Sequence, residues 1–237
     1  MRANLATTND EEHRMRTALF VESLWRKAFA FVPRDNLMRN HPWNIAFLIG
    51  FIVYVLIRGT FKERVKSNEL MVSRVDGLEK MLMLILIPGA ILLPVVYLFT
   101  PWLAFADYHL PAFAPWCGLP LMVAGLWLFW RSHVDLGPNW SQSLEIRKGH
   151  QLITHGVYRS IRHPMYASIF VWCMAQGLLL ENWLAGWYAF VAFALMYLVR
   201  TPREEQMMCE TFGQQYRDYI KRTGRLFPKK ACQENSE

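Results

Sequence analysis

The sequence predicts an all-α, polytopic integral membrane protein of about five transmembrane helices, with a cytosolic C-terminal amphipathic helix. Three observations carry this. Of the 237 residues, 53% are hydrophobic and 19% charged, and the two sets are segregated into long uncharged runs and basic stretches. The apolar runs approach the roughly 20 residues that cross a bilayer. A last polar segment then repeats apolar residues at helical spacing.

Residues 1–40 form a polar N-terminal segment with no early apolar core of the secretory kind. Within it, Leu19, Phe20, Leu24, Phe29 and Phe31 alternate with Glu22, Arg26 and Lys27, which predicts an amphipathic helix over Arg14–Val32 ended by Pro33. Residues 41–130 hold three spans, built on Trp43–Ile57, Met81–Phe99 and Phe113–Trp130. Pro88 and Pro94 predict a kink or break in the second. Residues 131–230 hold a polar loop, a hairpin of Met165–Leu180 and Trp183–Val199, and the C-terminal helix; 231–237 are a tail.

The loops 58–80 and 131–164 and the segment after Val199 are rich in Lys and Arg, whereas 100–112 and 181–182 carry none. Five spans put the three basic segments on one side, which the positive-inside rule makes the cytoplasm. The basic N-terminal segment is the exception. Pro202 suits the first turn of a helix, and Met208, Phe212, Tyr216 and Tyr219 give that helix one apolar face, ended by Thr223-Gly224.

The net charge of +7 does not indicate nucleic acid. The basic residues flank apolar runs, as retention charges and anionic-lipid contacts do, and no basic helix face or zinc spacing is present. Membrane lipids are the partners that this pattern implies. Cys117, Cys173, Cys209 and Cys232 form no CxxC pair, so no metal site or disulfide framework is indicated.

Two charged, aromatic-bearing blocks bracket the hairpin. The first is His155-Gly156-Val157-Tyr158-Arg159-Ser160-Ile161-Arg162-His163-Pro164-Met165-Tyr166; the second is Arg200-Thr201-Pro202-Arg203-Glu204-Glu205. Separately each has a plain structural account: Pro164 opens a helix, the arginines anchor helix ends, and the tyrosines belong to an interfacial belt. Together they bring both charge signs and aromatic rings to one depth on one side. Such a site suits one polar and one lipophilic reactant.

These blocks resemble the isoprenylcysteine carboxyl methyltransferase family and its relatives among the phospholipid N-methyltransferases. The resemblance covers roughly 115–228 and rests on Gly149–Tyr158, Arg162-His163-Pro164-Met165-Tyr166, Arg200, Glu204-Glu205, and Phe212-Gly213-Gln214-Gln215-Tyr216 with Tyr219. It implies an S-adenosylmethionine site formed by His150, Gln151, Leu152, Ile153, Tyr158, His163, Pro164, Met165, Tyr166, Glu204 and Glu205. It also implies that Arg200 is the catalytic residue and, with Arg162, faces the acceptor. The implied substrate is a lipophilic small molecule or lipidated group entering from the bilayer.

The chain departs from the family at Ser168, where many members have glycine, and in Asn139-Trp140-Ser141-Gln142-Ser143, whose glutamine is near but not at a cofactor-contact position. With fewer spans than the animal enzymes, it resembles the compact prokaryotic members, which implies a prokaryotic inner membrane with the site facing the cytoplasm. Two alternatives stand beside this reading: an NADPH-dependent membrane reductase of the sterol-reductase type, and a non-enzymatic small membrane protein.

Overall fold

Apolar sequence dictates the helices, and their ends overrun the predicted limits. The structure, a computed structural model, describes residues 42–65, 70–73, 76–139, 145–147 and 151–229. The amphipathic helix expected over Arg14–Val32, with the rest of the 1–40 segment, and the 231–237 tail lie outside the described residues.

Helix α1 (Pro42–Val65) continues about two turns past Arg58, where the uncharged run stops. Helix α2 (Gly77–Ile87) starts earlier than Met81 because Asp76 caps it, its Oδ1 accepting the Glu79 N–H at 3.0 Å. The break expected from Pro88 and Pro94 is a π turn, Pro88–Leu92, that joins α2 to α3 (Leu93–Phe99). After a 3₁₀ turn at Ala104–Ala106 comes α4 (Ala114–Leu136). Helices α5 (Pro164–Leu180) and α6 (Tyr188–Phe212) form the hairpin through a second π turn, Trp183–Trp187. The Asn182 side chain caps that turn through the Leu184 and Ala185 N–H groups.

Two expectations need revision. Pro202 does not open a separate helix; it lies inside α6. Its fixed φ is already helical and its ring removes one hydrogen bond, so a helix held on both sides by packing runs through it. The break comes instead at Gly213, whose φ of 56° is open to glycine, and α7 (Gln214–Arg222) follows. The face read as continuous is thus split, Met208 and Phe212 on α6, Tyr216 and Tyr219 on α7. The fold is all-α, as expected, apart from one short ladder. Where the two basic loops meet, β1 (Leu70–Ser73) and β2 (Glu145–Arg147) pair antiparallel, Leu70 opposite Arg147 and Ser73 opposite Glu145.

Three helices among the described residues are long and apolar enough to cross a membrane: Pro42–Phe61, Gly77–Phe99 and Trp183–Phe212. Pro164–Leu180 is equally apolar but shorter. Large side chains such as Leu84, Val191 and Leu198 point outward along these helices, as lipid-facing residues do.

Helices α4 and α5 make the most extensive helix–helix contact. Small residues permit it. A Cβ on Gly125 would lie 3.2 Å from the Trp172 backbone nitrogen and 3.3 Å from the Ser168 carbonyl oxygen. The close approach that a glycine at 168 would serve is therefore supplied from the opposite helix, and Ser168 turns its Oγ to the Met165 carbonyl at 2.6 Å. Helix α2 runs antiparallel to α6, with Leu82 buried among Phe193, Met196 and Tyr166. At the π turn Gly89 lies against Ala189, whose nitrogen a Cβ would approach to 2.9 Å.

Polar groups inside this apolar body tie helices together, since a bilayer offers them no water. Gln176, fully buried, donates to Gly89 O at 3.3 Å and Ala185 O at 2.6 Å, so one amide serves both π turns. The Tyr188 hydroxyl donates to Ile85 O at 3.1 Å.

The α4–α5 seam gives a direct test. Gly125→Leu must push the α5 backbone away and is expected to cost about 1–3 kcal/mol or more. It should lower the thermal midpoint in detergent, whereas Gly77→Ala, which meets nothing within 4 Å, should not.

Candidate functional site

The loop between α4 and α5 needs anchors, since it has little regular structure. Asp135, buried near the end of α4, supplies one: its Oδ2 accepts the Val157 N–H at 2.8 Å while Oδ1 pairs with Arg131 at 2.7 Å. Gly156 lies against that carboxylate with φ +57°, and a Cβ there would be 2.0 Å from Oδ2, so glycine is required twice over. A second anchor is Asn139, whose Oδ1 accepts the Gln151 N–H at 2.8 Å. These contacts place Gln151–Ile153 and the 3₁₀ turn Gly156–Arg159 at the polar end of the bundle.

The third anchor is a buried carboxylate. Glu205 on α6 accepts Arg162 Nε at 3.0 Å and pairs with His163 Nε2 at 3.3 Å, both at Oε1. Its Oε2 accepts Arg225 through NH2 at 2.6 Å. The Arg162 guanidinium also donates to the Thr223 carbonyl and, at 3.3 Å, to that of Ile220. Backbone bonds continue the clamp: Arg162 N–H to Gly224 O at 2.8 Å, His163 N–H to Arg225 O at 3.0 Å, and Gly224 N–H to Ser160 O at 3.1 Å. Tyr219 closes it, donating to Tyr158 O at 2.5 Å. Burial pushes the Tyr219 phenol up to about 12 and raises that of Tyr158 further, so both remain protonated donors at neutral pH.

Between these anchors and the helices lies a cavity of about 610 Å³, within the range of small-molecule and cofactor sites. Gln151, Leu152, Ile153, Tyr158, Arg162, His163, Met165, Tyr166, Arg200 and Glu204 all line it. Pro164 and Glu205 do not. Pro164 is the first residue of α5, and Glu205 is turned into the clamp. Arg162 reaches the cavity wall, but its guanidinium serves the same clamp. His150 and Trp140–Ser143 lie outside the described residues.

At the polar end, Tyr166 donates to Glu204 Oε2 at 2.5 Å, and the His163 ring stacks on Tyr166 with centroids 5.4 Å apart and planes 9° from parallel. Arg200 is buried on the same helix, its Nε 3.9 Å from Glu204 Oε2. The other end is apolar: Phe51 and Val55 of α1, Leu86 and Ile91 of the α2–α3 rod, and Trp172 and Phe193 of the hairpin line it. A carboxylate beside aromatic faces suits an onium group and an ammonium group. The apolar end suits a hydrocarbon chain.

Sequence reasoning missed two residues here. Asp135 was signalled by an acid closing an apolar helix with Arg131 four residues before it. Glu79, buried and 2.8 Å from Arg200 NH1, falls in the sequence within the loop 58–80; an acid just ahead of an apolar run was the available signal.

The fold and site are those of an integral membrane protein with a mixed polar and lipophilic chamber. Residues 118–210 match the model of the isoprenylcysteine carboxyl methyltransferase (ICMT) family. Among its relatives, protein-S-isoprenylcysteine O-methyltransferase B of Arabidopsis thaliana is 30% identical over 111 residues, covering 44% of this chain and 54% of that protein. The protein-S-isoprenylcysteine O-methyltransferase of Tribolium castaneum is 33% identical over 113 residues, 47% of this chain and 40% of that one. The Mus musculus enzyme of the same name is 33% identical over 111 residues, with 44% and 38% covered. The chain therefore spans about half the length of the curated relatives it matches.

A solved structure, the eukaryotic intramembrane Ras methyltransferase ICMT, aligns over 79% of this chain and 68% of its own with a TM-score of 0.51 at 24% identity, which shows a shared fold. The likeness to compact prokaryotic members expected from the span count is not borne out: these matches are to plant, insect and mammalian proteins and a eukaryotic structure.

The clamp makes a prediction. Glu205→Ala leaves Arg162 buried without its counter-charge and the His163 ring without this partner, which is expected to cost about 3–5 kcal/mol. Thermal unfolding in detergent should show it as a large drop in midpoint, with Arg225→Ala, half-exposed, much milder.

Proposed function

We propose that this chain is a membrane-embedded, S-adenosylmethionine-dependent methyltransferase acting on a lipophilic acceptor, with the carboxylate of an isoprenylcysteine-like group as the methylated atom set. The observation that carries this reading is the continuity of one cavity from Glu204 and Tyr166 to the apolar walls of α1, α2 and α5. Polar donor and lipid acceptor then meet in one chamber.

When bound, S-adenosylmethionine supplies an activated methyl carbon on a sulfonium. Glu204, held by Tyr166, balances positive charge at that end, and the faces of Tyr158, His163 and Tyr166 pack beside it. Gln151–Ile153 form the wall next to them. Arg200 orients the acceptor carboxylate toward the methyl carbon. A carboxylate is already ionised at neutral pH and needs no general base, so the chain's contribution is positioning in a pocket from which water is excluded.

Access is lateral. Val55 on α1 and Ile87 and Ile91 along the α2–α3 rod line the cavity and are also about half exposed, which opens the chamber toward lipid between these helices. Five helices cross the bilayer in this reading, α1, the α2–α3 rod, α4, α5 and α6, and the basic polar end faces the cytoplasm.

Calorimetry with S-adenosylhomocysteine on detergent-purified protein tests the donor site. Wild type should bind, and Glu204→Ala should bind about 10–100-fold more weakly, as loss of one charge-assisted contact implies. A folded wild type that binds NADPH and not S-adenosylhomocysteine would overturn the assignment.

A further inference from the structure

Arg200 is a buried cation on α6, and something must hold it. Its NH1 lies 2.8 Å from Glu79 Oε1, on the first turn of α2. Glu79 is 2% exposed and does not line the cavity, whereas Arg200 does. The carboxylate therefore stands behind the guanidinium, on the side away from the chamber. Both carboxylate oxygens are buried and neither has a hydrogen-bond partner of good geometry among the described residues, so the contact to Arg200 is a close ion pair.

Glu79 is itself fixed. One turn earlier Asp76 caps α2 by accepting the Glu79 N–H, and its carboxylate pairs with Arg203 at 2.5 Å. Asp76–Arg203 and Glu79–Arg200 are successive rungs of one antiparallel contact, three residues apart on each helix. The hydrogen bond from Arg203 holds the Asp76 carboxyl down at about 2, so the outer rung stays charged throughout the physiological range. Below the inner rung Leu82 packs on Phe193 and Met196. Both acids lie outside residues 118–210, the region that the family match covers.

We propose that Glu79 is a positioning residue for methyl transfer, setting the orientation of Arg200 toward the acceptor from a part of the chain outside the family region. The inference rests on the methyltransferase reading above. Without Glu79, Glu204 Oε2, now 3.9 Å away, is a counter-charge within reach of Arg200. A guanidinium drawn onto Glu204 competes with Tyr166 for the same oxygen and abandons its aim at the acceptor. Glu79 thus keeps Arg200 for the acceptor and Glu204 for the donor.

The test is steady-state methyl transfer from S-adenosylmethionine to an S-farnesylcysteine derivative with a free carboxylate, alongside S-adenosylhomocysteine calorimetry. Glu79→Ala should lower kcat/KM for the acceptor about 100-fold, the scale of an Ångström-sized misplacement, with donor affinity within about threefold of wild type. Glu79→Gln, which keeps the shape and one acceptor oxygen, should recover about tenfold of that loss. If Glu79→Ala does not fold, loss of acceptor turnover in Glu79→Gln at unchanged donor affinity supports the role.

Equal loss of donor binding and turnover would mark a merely structural residue and overturn it, as would a Glu79→Gln enzyme indistinguishable from wild type in a preparation lacking folded Glu79→Ala. A wild type that binds neither donor nor acceptor sinks the methyltransferase reading, and this inference with it.

Discussion

A carboxylate taken out of water is tolerated only where cations and donors meet it, and Glu205 is met by Arg162 and Arg225 and by the His163 ring. Each comes from a different place in the chain or serves a different neighbour. Arg162 and His163 end the loop that carries Tyr158, Arg225 ends the segment after α7, and Glu205 itself sits one residue beyond Glu204 on α6. Satisfying one buried charge thus forces the loop, the helix and the C-terminal segment into a single arrangement. Tyr158, Tyr166 and Glu204 take their places at the cavity wall as a consequence.

The helices below face the complementary demand that backbone polar groups be satisfied in lipid. Two π turns break the α-helical pattern, and Gln176 reaches carbonyls in both. Glycines at 89 and 125 let backbones approach where side chains would hold them apart. The apolar chamber is what remains between helices tied together in this way.

Much of this was legible in the sequence. Uncharged runs located the helices because bilayer length and side-chain polarity act locally. The paired blocks around Arg162-His163-Pro164 and Glu204-Glu205 pointed to the polar end of the cavity because their residues are close in sequence to the helix ends that carry them. What was hidden depends on distant partners. Nothing near Glu205 says that it turns from the chamber toward Arg225, or near Arg162 that its guanidinium faces Thr223. Glu79 read as a loop residue because its burial is created by Arg200, over a hundred residues away. Pro202 misled for a different reason: a proline favours a helix start, yet α6 is pinned by packing before it and by ion pairs after it, and so runs through.

The clamp also bears on the order in which the molecule can be made. Chains emerge N-terminus first, and domains tend to fold as they appear. The α4–α5 pair and the α2–α6 contact are complete once residue 212 has been synthesised. The loop bearing Tyr158, however, waits for Gly224 and Arg225, and until they arrive Glu205 has a carboxylate short of one cation. The bundle is therefore an early structure and the chamber's polar mouth a late one, assembled on a scaffold already in the membrane. An interval during biogenesis follows in which the apolar half of the protein is finished and its polar mouth is still open.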